Sequence, residues 1–215
     1  MLNLSKKKNK WEKNSDNKLN PFYILQFKGL DLDNDKNKEI VLGTYSDESI
    51  SYWKKLTILS FKDNKVTSIL EMPYAGMALG DLDKDASYEI DILYQNEEMI
   101  ENRLRIMRVA GNKVSRIDEK IFPQGVDPYS IAIGNIYDDE EVIFVDSFSG
   151  IYEGRTDIFF FKDKKIKDIE DYKGFKLSDK SFPVQTKDVD SDGIMEVGIP
   201  FSPPDITQTE IDAVV

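Results

Sequence analysis

The chain contains no histidine and no cysteine, and those two absences remove much of the chemistry available to a protein of this size. No Ser-His-Asp or Cys-His nucleophile can be assembled, no disulfide framework exists, and no imidazole or thiolate can hold a metal. Oxygen ligands remain, with carboxylate, lysine and tyrosine as acid-base groups. Positive charge is also scarce: 29 Lys+Arg stand against 40 Asp+Glu, a formal net charge of −11. Nucleic-acid affinity comes mostly from Lys and Arg neutralising phosphates, so no nucleic-acid partner is expected. Hard divalent cations are the natural counterpart of such a chain. Long hydrophobic runs are missing too. The charge-free stretches FYILQF (22–27) and YSIAIGNIY (129–137) fall far short of the roughly 20 residues that cross a bilayer, so no membrane span is expected. The start, MLNLSKKKNKWEKN, is basic but has no apolar segment or cleavage site, so no secretory signal is visible.

With 40% apolar residues and 11% aromatic ones, the chain can still build an ordinary packed core. Residues 1–20 are mostly Lys, Asn, Ser and Asp, a composition that buries too little to offset ordering entropy, and are expected to be a flexible arm. From Phe22 onward the pattern is one of short β-branched and aromatic runs broken by Asp, Asn and Gly. EIVLGTY (39–45), KLTILSFK (55–62), KVTSILEM (65–72), EIDILYQ (89–95), RLRIMRVA (103–110) and TDIFFFK (156–162) read as strands, several alternating at period two. KDNK (62–65), AGNK (110–113) and KDKK (162–165) read as hairpin turns.

An internal repeat organises these elements. FKGLDLDNDKNKEIVL (27–42), MALGDLDKDASYEIDI (77–92), IAIGNIYDDEEVIFV (131–145) and VQTKDVDSDGIMEVGI (184–199) share one order: apolar strand, acidic loop, acidic residue, β-branched strand. Anchored on Asp31, Asp81, Asn135 and Asp188, they are spaced 50, 54 and 53 residues apart. Four strands in a meander at this period describe β-propeller blades. The expected class is all-β, with about three and a half blades in an incomplete or open ring. Residues 21–200 form this partial propeller, with blades at about 22–72, 73–123 and 125–172 and a partial one at 182–200, followed by a tail at 201–215. Closure typically takes at least four blades, so further blades or a partner chain are expected to complete the ring.

Three of the four loops read D-x-D-x-D-x-x-x-E: residues 31–39, 81–89 and 188–196. Ca²⁺ takes six to eight oxygens at roughly 2.3–2.6 Å. A tight loop can aim carboxylates at positions one, three, five and nine, and a backbone carbonyl at seven, toward one centre. The expected ligands are Asp31, Asp33, Asp35, Asn37 and Glu39; Asp81, Asp83, Asp85, Ser87 and Glu89; and Asp188, Asp190, Asp192, Ile194 and Glu196. An EF-hand would need its bidentate acid at position twelve, where Leu42, Ile92 and Ile199 stand. The competing reading, solvated turn aspartates, explains one loop as well as calcium does but not three at one place in a repeat. The third repeat has Asn135 and Tyr137 at positions one and three and is two residues shorter, so it is expected to lack a metal. Position six is Lys36 and Ala86 in the first two loops, where the Gly193 of the last would better suit positive φ.

These loops, set between the first and second strand of each blade, resemble the FG-GAP or VCBS-type repeats of integrin alpha-subunit propellers and bacterial surface proteins. The Phe-Gly and Gly-Ala-Pro signature is absent, and MALGD (77–81) and IAIGN (131–135) stand in its place, which points to the bacterial branch. The resemblance implies about three structural calcium ions and an interaction module. Meander geometry puts the opposite face under the loops 44–55, 94–103 and 146–155. Tyr52, Trp53, Tyr94, Phe148, Tyr152 and Arg155 there are candidate anchors for a protein or polysaccharide ligand. No catalytic constellation is visible and the chain is not expected to be an enzyme. The alternatives are the blade array of a carbohydrate-active enzyme, or a truncated fragment without independent function. Weak calcium loops fill at roughly 10⁻⁴–10⁻³ M in extracellular modules, so an extracellular or cell-surface location is expected.

Overall fold

In the computed structural model the described residues are 4–7, 10–13, 22–46, 54–62, 65–95, 101–137, 140–149, 153–168, 184–187, 189–190 and 196–198. Among them every regular element is a strand. Fourteen of the strands lie in three sheets. The first holds β1 (Leu4–Lys7), β2 (Lys10–Lys13), β3 (Phe22–Leu30), β4 (Glu39–Ser46), β5 (Lys54–Lys62) and β6 (Lys65–Tyr74), in the order β2-β1-β6-β5-β4-β3. The second is the meander β7 (Gly76–Gly80), β8 (Glu89–Gln95), β9 (Asn102–Ala110) and β10 (Lys113–Ile121). The third is β11 (Val126–Tyr137), β12 (Glu140–Ser149), β13 (Glu153–Lys162) and β14 (Lys165–Asp168). A two-stranded sheet of β15 (Gln185–Lys187) and β16 (Glu196–Gly198) follows.

Each strand forms where side-chain alternation gives one buried face. In β5, Leu56, Ile58 and Ser60 are buried in alternation with partly exposed neighbours. The hairpin after β13 turns through Asp163 and Lys164, both at positive φ (54° and 59°), the two-residue turn whose twist matches that of the flanking strands. The hairpin after β9 places glycine first, with Gly111 at φ 59°.

Within the segment expected to be a flexible arm, Leu4–Lys7 and Lys10–Lys13 pair with each other as a hairpin, and Ser5 pairs with Lys65 on β6. Composition does not reveal this, because a sheet edge offers unpaired N–H and C=O groups that recruit backbone regardless of side chains.

The chain divides into two compact units: Met1–Tyr74 with Ala86–Tyr88 and Arg108–Ser115, and Ala75–Asp85 with Glu89–Met107 and Arg116–Val215. In the first, Leu32, Val41, Leu56, Ile58 and Tyr74 are buried. Gly43 is required there by close approach, since a Cβ would overlap the Tyr74 hydroxyl and lie 2.9 Å from its Cζ. The outermost strand β3 leaves Ile24, Leu25 and Phe27 exposed. In the second, Leu93, Leu104 and Ile106 of the second sheet pack with Ile133, Ile143, Val145, Phe159 and Phe161 of the third in one core. Val142 and Phe144, on the other face of β12, pack with Val184.

Candidate metal centre

The first two acidic loops share one internal scaffold. At position nine, Glu39 and Glu89 are buried, and each accepts the N–H of position two: Leu32 N to Glu39 Oε2 at 3.1 Å and Leu82 N to Glu89 Oε2 at 2.9 Å. The last loop repeats the bond, Val189 N to Glu196 Oε2 at 2.6 Å. At position one, Asp31 Oδ1 and Asp81 Oδ1 each accept the N–H of position five at 3.0 Å. Lys36 N also donates to Asp31 Oδ2 at 2.8 Å. Positions four and six both adopt positive φ, at 58° and 73° for Asn34 and Lys36 and at 58° and 68° for Lys84 and Ala86. Sequence reasoning anticipates this at position six; left-handed backbone there is unfavourable for any residue carrying a Cβ.

This scaffold gathers carboxylates. Asp31, Asp33 and Glu39 each offer an oxygen within 4.8 Å of the others, and so do Asp81, Asp83 and Asp85. Ligands opposed across one Ca²⁺ lie about 5 Å apart, twice the coordination distance, so these spacings match what a single ion demands. The donor set is entirely hard oxygen, which suits Ca²⁺ or Mg²⁺. Of the expected side-chain ligands, Asp35 is not in the first group: its Oδ1 accepts the backbone N–H and side-chain amide of Asn37 at 2.8 and 3.0 Å. Glu89 is not in the second, although it accepts the Leu82 N–H just as Glu39 accepts that of Leu32. Crowded charge leaves its mark on Glu39, whose carboxyl is pushed above its ordinary range by burial and by Asp33 and Asp35, against the Leu32 hydrogen bond. Within the first unit, Gly111 N donates to Asp33 Oδ2 at 2.5 Å. In the last loop Asp190 is exposed, while Asp188, Asp192 and Ile194 lie outside the described residues.

In the third repeat β11 and β12 pair as far as Tyr137 with Glu140, so no nine-residue loop separates them. Asn135 lies within β11, opposite Glu141. In the acidic run 138–141, Glu141 is not a solvated turn residue. Its Oε2 is buried, and burial followed by the Asp81 charge raises its carboxyl, against the Asp81 amide hydrogen bond.

The candidate ligand anchors are dispersed. Tyr94 lies beneath the Arg105 guanidinium, 3.8 Å from its ring centroid; Arg105 also pairs with Glu119 at 2.5 Å, and Arg103 pairs with the other oxygen of Glu119. Phe148 is exposed and stacks on Tyr129, with centroids 4.5 Å apart and planes at 19°. Arg155 pairs with Asp157 at 2.5 Å. Tyr52, Trp53 and Tyr152 lie outside the described residues.

No family model and no curated protein matches the chain. Among solved structures it is similar in fold to the exotype rhamnogalacturonan lyase YesX, at 16% identity and a TM-score of 0.56, over 84% of this chain and 39% of that one. The chain therefore spans about two fifths of that protein's length. At this identity the likeness concerns the fold alone. Among the described residues no helix is long and apolar enough to cross a membrane.

Proposed function

We propose that the protein is a calcium-stabilised β-propeller interaction module of the FG-GAP or VCBS type, binding a protein or polysaccharide outside the cytoplasm. The observation that carries this reading is the recurrence, at the same turn of two successive sheets, of three carboxylates close enough to share one ion. Each ion would neutralise charges that otherwise repel, so its role is to stiffen the turn. The last loop, 188–196, adds the third site. The apolar residues of β3 suit the packing of a further blade or a partner chain. The ligand face carries Phe148 and Arg155.

Calcium titration followed by thermal unfolding tests the metal. The midpoint should rise with calcium and fall back on chelation, and D33N together with D83N should remove most of the rise. An unchanged midpoint in the unsubstituted protein would refute the reading.

The fold likeness to a rhamnogalacturonan lyase favours a second reading, in which these sheets are the blade array of a carbohydrate-active protein. Arrays of glycans and peptides probed with the calcium-loaded chain separate the two. Retention of a ligand unchanged fits a binding module, whereas cleavage of rhamnogalacturonan to unsaturated products fits an enzyme.

A further inference from the structure

The second unit buries a carboxyl group that no hydrogen bond among the described residues answers. Strand β8 alternates so that Glu89, Asp91 and Leu93 share one face, and Leu93 packs with Ile133 and Ile143 in the core between the second and third sheets. Asp91 therefore faces the third sheet. By the same alternation β12 turns Glu141, Ile143 and Val145 toward the second sheet, where Ile143 and Val145 join that core. Asp91 is 0% exposed, and neither of its carboxylate oxygens has a hydrogen-bond partner. Glu141 Oε2 is likewise buried without a partner, 2.8 Å from where a Cβ on Gly80 would lie. The charges that bear on Asp91 are Glu89 and Glu141, both acidic.

Two internal comparisons mark this as a site. The residue two places after the loop glutamate is Val41 in the first repeat and Gly198 in the last, and Ile143 follows Glu141 in the third; only the second repeat puts an acid there. Asp146 shows how this fold treats an ordinary buried aspartate. It is 1% exposed, and it accepts the Thr156 hydroxyl at 2.5 Å and the Val184 N–H at 2.8 Å. Buried carboxylates persist when they are hydrogen-bonded, paired or coordinated to a metal, and Asp91 has neither of the first two.

We propose that Asp91, Glu141 and Glu89 take a divalent cation of the hard, oxygen-seeking class between the second and third sheets, separate from the carboxylates of residues 81–85. Asp91 and Glu141 arrive from different sheets, so this ion ties the sheets together, whereas each loop ion is held by a single turn. The three carboxylates do not form a group drawn within 4.8 Å of one another. The proposal does not depend on calcium in the loops.

The test counts ions bound to the full chain by equilibrium dialysis, with calcium alone and then with magnesium alone. D91V installs the residue of the first repeat, D91N keeps the shape, and E141Q removes the partner. In a D33N/D83N/D190N background, with the loops disabled, about one equivalent should remain bound with one of the two metals, and each of the three substitutions should abolish it. In chelator, D91V should melt above the unsubstituted protein, because a buried polar group without hydrogen-bond partners is gone. If D91V does not fold, D91N and E141Q decide by ion count. Full retention of the equivalent by D91N and E141Q, or no bound equivalent in the loop-disabled background with either metal, overturns the proposal. Undiminished binding in the loop-disabled background would instead count against the loops.

Discussion

The turn between the first and second strands of a repeat exists in two forms, and their difference separates two jobs that one motif performs. In the first and second sheets it is a nine-residue loop with three carboxylates drawn together and a buried glutamate clamping the N–H of position two. In the third sheet the loop is gone and the strands pair almost to their ends, yet an acid remains at the start of the second strand. Glu141 no longer serves its own turn and instead accepts the Asp81 amide of the neighbouring sheet. The glutamate at this place is tied to a backbone amide in all three sheets, whereas the clustered aspartates occur only where the loop does. Conversion of a loop into a hairpin discards the second role and redirects the first.

The most damaging way to break this comparison is to remove a clamp. E89A leaves the buried Leu82 N–H without its acceptor and opens space beside a packed core, so it should destabilise the protein by about 3 kcal/mol in chelator, and by more with the divalent cation present because Glu89 also serves the proposed inter-sheet ion, as read by denaturant unfolding. D83N tests the other half. It should leave stability in chelator unchanged and abolish one site's calcium-dependent gain, about 2.7 kcal/mol at a hundredfold excess over Kd. A loss of stability in chelator as large as that of E89A would erase the division of labour. A smaller effect sharpens the loop itself: A86G relieves positive φ at position six and should stabilise by about 0.5 kcal/mol once the greater freedom of the unfolded glycine is subtracted. The same change in the third repeat has no equivalent, because no such loop exists there.

The smallest expected effect lies away from any proposed ion. Burial works to raise Glu119, but hydrogen bonds from Arg105 and Arg103 outweigh it and hold its carboxyl below its ordinary value. A depressed acid stabilises the fold above its unfolded pKa, about 4.5, and that contribution is lost as pH falls through the lower folded value. E119Q should therefore lower stability slightly at neutrality and flatten its fall below about pH 4.5.

The strands were legible because burial of one face writes itself as alternation: EIDILYQ and RLRIMRVA coincide with β8 and, to within one residue, with β9. The hairpins were legible because their residues tolerate positive φ, as at Gly111. Other features were not, because they depend on partners distant in sequence. The β1–β2 hairpin answers the edge of β6 some sixty residues on. Asp91 looks like any polar residue of a half-exposed strand until the third sheet covers it. The ligand sets were partly legible, since spacing nominated every member of both groups but could not foresee that Asp35 would turn to Asn37. Tyr94 was legible as an aromatic near a loop, yet its ring is taken up by Arg105.

The contact between Gly43 and Tyr74 constrains how this chain can drift. Thirty-one positions apart in sequence, the two are geometrically one decision: alanine at 43 occupies the place of the phenol oxygen. A side chain at 43 therefore requires the Tyr74 ring to move or the side chain at 74 to be shortened, which couples the two positions.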